Sequence, residues 1–117
     1  MSAATELQAL LAASAGVTAL VESRISADRA EQGAARPFVT YSGTTEPQRA
    51  LDGSVHGTLT TFEIQCWGDS RATAEAVADA VQAACDGAHQ YITARAAGSD
   101  NELDLEAVVM TCLWWTD

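Results

Sequence analysis

The sequence predicts an α+β fold: a mainly antiparallel sheet of about four strands with two helices packed on one face. Three stretches carry the prediction. Phe62, Ile64 and Cys66 alternate with Thr61, Glu63 and Gln65, which is the period of a half-buried strand. Ala74, Val77, Ala78, Val81, Ala84 and Cys85 recur at helical spacing opposite Arg71, Glu75, Asp79, Gln82 and Asp86. From Ala107 to Trp115 a final strand is apolar on both sides, with Val108, Met110, Cys112 and Trp114 interleaved with Val109, Leu113 and Trp115.

In chain order, Thr5-Glu6-Leu7-Gln8 has the form of a capping box, so a first helix is expected from about Thr5. Leu7, Leu10, Leu11 and Ser14 share its face, Gly16 is placed to end it, and Val17 to Val21 add a short further turn. Glu22 to Arg36 reads as a connection leading to Pro37, which suits a strand start or an edge. A strand follows at 36–41. Residues 42–57, rich in Gly, Thr, Pro and Asp, read as a long hairpin loop or arm turning near Asp52-Gly53. Loops of that length are uncommon and often functional, which singles out Leu51 and Val55 as contact residues. The second strand runs to Trp67, placed at the sheet rim or against a neighbour. The next helix is capped by Asp69 or Ser70 and ends at Gly87. A third strand covers about His89 to Ala97, with Tyr91, Thr93 and Arg95 opposite Ile92 and Ala94, before a turn at Gly98-Ser99-Asp100-Asn101. The last strand alternates from Leu103 and then needs cover on both faces. Helices can supply one face, so another subunit or partner is expected on the other, with Trp67, Met110, Trp114 and Trp115 as its contacts. On this basis Trp114→Ala is expected to impair assembly more than folding.

The chain of 117 residues reads as one domain, 1–117. Of its 56 hydrophobic residues 24 are Ala, and Leu, Ile, Val and Phe together number only 22, so the core is thin and self-association is expected. Net charge is −10, and the six basic residues are all Arg. Without Lys there is neither a phosphate-binding P-loop nor a Schiff-base amine, and no basic stripe is available to neutralise nucleic-acid phosphates. An acidic surface suits a basic partner, or a wall past which nucleic acid slides without sticking. Cys66, Cys85 and Cys112 are far apart in sequence and read as buried free thiols in a reducing compartment. No leader pattern or membrane-spanning stretch is visible. Two histidines, His56 and His89, lack a second ligand at metal spacing, and no hydrolase elbow, zinc motif or dinucleotide motif occurs. Catalytic residues, cofactors and metal ligands are therefore not assigned.

The order of these segments resembles that of the tail completion, or tail terminator, proteins of long-tailed bacteriophages. The resemblance spans nearly the whole chain: Ala15 to Val21, the Arg36-Pro37-Phe38-Val39-Thr40-Tyr41 strand, the Leu51-Asp52-Gly53 loop, the Phe62-Glu63-Ile64-Gln65-Cys66-Trp67 strand, the Ala-rich helix and the closing Leu113-Trp114-Trp115. It implies a structural, non-enzymatic virion protein that forms a ring, a hexamer in well-studied relatives, on the last ring of the tail tube. Such a ring ends tail polymerisation and joins the tail to the head connector, at the tail-to-head junction of a particle assembled in the host cytoplasm. The implied partners are further copies of the chain, the tail tube protein and the connector or stopper, with DNA passing through the lumen without specific binding and with no membrane involved. The double Trp and the missing Lys depart from the resemblance. A head-completion or neck protein of the same particle is the neighbouring possibility. An acidic cytoplasmic protein-binding module is a different class, disfavoured because Asp and Glu are spread from Glu6 to Asp117. A small Cys-dependent enzyme comes last.

Overall fold

The computed structural model describes residues 3–28, 35–49, 55–100 and 105–116. Three helices, α1 (Ala3–Ala13), α2 (Ala15–Val21) and α3 (Arg71–Gly87), join five strands: β1 (Ile25–Ala27), β2 (Phe38–Arg49), β3 (Val55–Gly68), β4 (Ile92–Asp100) and β5 (Leu105–Thr116). The strands form one sheet in the order β1-β2-β3-β5-β4, antiparallel except where β1 runs parallel to β2. The α+β class is as the sequence predicts, with one more helix and one more strand.

The additions have local causes. Ser14, not Gly16, separates the first two helices: its backbone is extended and its hydroxyl accepts from the Val17 N–H at 3.4 Å, so a new helix starts and Gly16 falls in its first turn. Gln8 is not a cap either. It donates to the Ile25 carbonyl at 3.2 Å and accepts from the Tyr41 hydroxyl at 2.8 Å, which pins α1 to β1 and β2. β1 has only three residues and pairs with Val39, Thr40 and Tyr41, too short a run for any alternation to register. Ser70 is the cap of α3, accepting from the Thr73 N–H at 3.2 Å.

Of the segment at 42–57 expected as a long hairpin loop or arm, the described residues are paired strands. β2 continues through Arg49 and β3 begins at Val55, with Ser42 opposite Glu63 and Pro47 opposite Thr58. Its threonines are β-branched and suit an extended ribbon as well as a loop. Gly43 is needed in this ribbon because a Cβ there would lie 2.8 Å from the Phe62 ring. β4 starts later and runs further than expected, through Asp100. A bulge between Ile92 and Ala94 shifts its register, so Arg95 turns to the helix side and donates to Asp79 and Gln82 of α3, both at 2.9 Å.

The helices cover one face of the sheet. Leu7 and Leu11 of α1, Val17 and Val21 of α2, and Ala74, Val77, Ala78, Val81 and Cys85 of α3 pack with Val39, Tyr41, Phe62, Ile64, Cys66, Val108, Met110, Cys112 and Trp114. Phe62 sits edge-on between Tyr41 and Trp114, each centroid 6.0 Å away. The Trp114 indole N–H is satisfied by the Glu6 carboxylate at 3.2 Å, which ties α1 to β5.

Candidate assembly surface

A strand exposes alternate residues to opposite faces, so whatever β5 gives the helices on one side it must balance with the intervening residues on the other. Met110 and Trp114 are on the helix side, 0% and 5% exposed. The expectation that they contact another subunit is thereby corrected: their surface is already spent on the core. Trp115 is on the other face and 53% exposed. Leu51 lies outside the described residues, and Val55 is placed as the first residue of β3, opposite Arg49.

The open face has three zones. At one end Phe38 and Trp67, directly opposite on β2 and β3, stack with centroids 6.2 Å apart and planes at 25°. Trp67 therefore rests on the sheet's own aromatic neighbour and is half buried. Its indole N–H points to Thr40 Oγ1 at 3.4 Å, and the Thr40 hydroxyl donates to Gln65 Oε1 at 3.2 Å. Gln65 in turn donates to Glu63 at 3.0 Å. Gly68, next to Trp67, brings β3 into α3: a Cβ there would lie 3.0 Å from the Ala74 nitrogen and the Thr73 side chain. The middle zone is polar, a groove of about 420 Å³ lined by Ser42, Thr44, Glu46, Thr61, Glu63 and Thr111 together with Gly43 and Phe62. It contains two carboxylates and no basic side chain. The far zone is apolar, where Leu59 faces Trp115 and Thr61 faces Leu113 across the β3–β5 ladder.

Trp115 is presented rather than loose. Gln90 accepts from the Trp115 N–H at 2.9 Å and donates to its carbonyl at 3.2 Å, fixing the backbone while the ring stays outside. Tyr91, 55% exposed, lies at the same corner, its carbonyl accepting from the Leu113 N–H at 3.2 Å. Tyr91 has no sequence signal as a site residue, since its pattern is that of one member of a regular strand, whereas it precedes β4. The double Gln90 bond has no local sequence signal.

Cys66, Cys85 and Cys112 are all buried free thiols. Burial pushes Cys66 up to about 12, against a smaller lowering by Arg95. A hydrogen bond to Cys112 and then burial raise Cys85, while the same bond lowers Cys112. With Cys66 protonated and all three thiols shut away, the folded chain is expected to react with iodoacetamide at pH 8 at least about tenfold more slowly than the urea-unfolded chain. Thiol labelling followed by mass spectrometry checks this. Among the described residues no group of three His, Cys, Asp or Glu side chains could hold a metal ion, and no single helix is long and apolar enough to cross a membrane.

The fold and its open face can be set beside known proteins. No curated protein matches the chain. A chain in the solved structure of the virion of a native gene transfer agent particle superposes with a TM-score of 0.77 at 21% identity, over 94% of this chain and 90% of that one, a likeness of fold. The family model of tail completion protein gp17 matches residues 5–117, from the first turn of α1 to the end of β5, and so takes in both the helical layer and the whole open face. The chain belongs to the tail completion protein gp17 family, and its role is that of a structural protein of a phage tail.

Proposed function

We propose that the chain forms a homo-oligomeric ring of six copies at the top of the tail tube, ends tube polymerisation there and joins the tail to the head connector. The observation that carries this is the sheet face that no described helix covers, ending in Trp115, Leu59 and Leu113, which a neighbouring molecule would cover. Family membership supplies the particle. Its partners are further copies of itself, the tube protein and the connector or stopper, and its place is the tail-to-head junction of the virion. The six copies would carry a formal charge of about −60, six times the −10 of one chain, and carboxylates such as Glu46 and Glu63 on the open face would repel DNA phosphates if that face borders the lumen. DNA would then pass without specific binding.

Electron microscopy of particles made without this chain tests the proposal. Overlong or ragged tails beside unattached DNA-filled heads are expected. Tails of normal length with unjoined heads would move the role to the neck or head-completion position, and ordinary particles would overturn an assembly role and favour an acidic binding module.

A further inference from the structure

The sheet has two open edges among the described residues. β4 is the last strand on one side. On the other side β1 pairs only with Val39, Thr40 and Tyr41, so on that side no strand among the described residues meets β2 from Ser42 to Arg49. Exposed sheet edges carry unpaired N–H and C=O groups, and natural edges are usually blunted by Lys, Pro or projecting charge. β4 has the opposite character: Ala94, Ala96, Ala97 and Gly98 are small, and its one charged residue in this stretch, Arg95, is turned onto α3. Thr93 to Ala97 and Ser42 to Pro47 are exposed.

We propose that these edges pair with each other between copies, the β4 edge of one subunit forming an antiparallel ladder with the open part of β2 in the next. The pairing deepens the ring proposed above and rests on it. Three features support a second copy as the occupant. The edges are matched in length, seven residues from Ser42 to Gln48 against seven from Ile92 to Gly98. Direction also fits. β2 is antiparallel to β3, β3 to β5 and β5 to β4, so β4 runs opposite to β2. A copy related by rotation about an axis along the strands places the two antiparallel, the more stable ladder. The contact joins two different surfaces, the head-to-tail kind that closes a ring.

The third feature is the stagger. Like faces must match, and this is met when Thr44 lies opposite Ala96 and Ser42 opposite Gly98. Thr44 is level with Thr61 and so with Leu113, whereas Ala96 is level with Val109, an offset of four residues along β5. Four residues are about 13 Å, and the four strand steps from one β2 to the next are about 19 Å, which gives a strand tilt of about 35°. Closed barrels tilt their strands by about 35–45°. Pro47 supplies no donor, so the ladder is strongest from Ser42 to Glu46.

The test is covalent linkage inside particles. Thr44→Cys with Ala96→Cys in one chain, and separately Ser42→Cys with Gly98→Cys, are incorporated and mildly oxidised; a Cβ at Gly98 meets nothing closer than 3.9 Å. Within one subunit the two edges are about 14 Å apart, too far for a disulfide, so every new link joins two copies. The expected result is a ladder of linked copies from at least one double variant and from neither of its single variants, with the bridging peptide identified by mass spectrometry. If particles contain the chain and both double variants link no more than the single ones, the edge pairing is wrong while the ring survives. If unmodified particles lack the chain, the ring itself falls and the pairing with it.

Discussion

Replacing Trp114 by alanine is expected to remove about 3–5 kcal/mol of folding stability, against a total of about 5–15 kcal/mol for an ordinary domain. The side chain is 5% exposed, packs edge-on against Phe62 and hands its indole N–H to Glu6. Removing it opens a cavity where α1, β3 and β5 meet and leaves α1 with one less tie to the sheet. A urea titration followed by circular dichroism should show the midpoint collapse. Trp114→Phe, which keeps a ring but loses the bond to Glu6, should cost about 1–2 kcal/mol. An alanine variant that melts like the parent but fails to assemble would restore Trp114 to the subunit interface.

Trp115→Glu should behave in the opposite way. Its ring is 53% exposed and its neighbour Gln90 holds only the backbone, so folding stability should change by less than about 0.5 kcal/mol. Assembly should suffer instead. A carboxylate in the apolar zone with Leu59 and Leu113 would have to be buried unpaired by whatever covers that face, and the yield of complete particles should drop more than about tenfold. Particle counts by electron microscopy, with the melting curve of the purified variant as control, measure both halves. Normal particle yield would remove the Trp115 end of the open face from the assembly surface.

The contrast between these adjacent tryptophans shows what a sequence can and cannot say. Alternation put them on opposite faces of a strand that is apolar on both sides. Which face meets the helices depends on register across the sheet: Met110 is level with Ile64, and Cys112 with Phe62, so Trp114 follows them inward. That register is a long-range fact. β3 and the stripe of α3 were legible because each repeats over many residues, and the hydroxyl of Ser70 marks where α3 begins. β1 was not, with three residues and a parallel partner. Nor was the continuation of β2 through Arg49, since Gly, Thr and Pro in a row resemble a loop until the pairing with β3 shows them extended. Of the proposed contact surface, Trp115 stands out in the sequence, whereas Tyr91 does not.

The position of β5 also bears on the order in which the protein can be made. It is the last strand in chain order, yet it lies between β3 and β4. On the ribosome β4 emerges with nothing to pair with, and β3 has only β2 beside it until β5 arrives. The strand that completes the sheet also carries Leu113 and Trp115. Leu113 and Trp115 are therefore fixed in place only once β5 has inserted between two strands made before it, so the apolar end of the open face is among the last parts of the subunit to take shape.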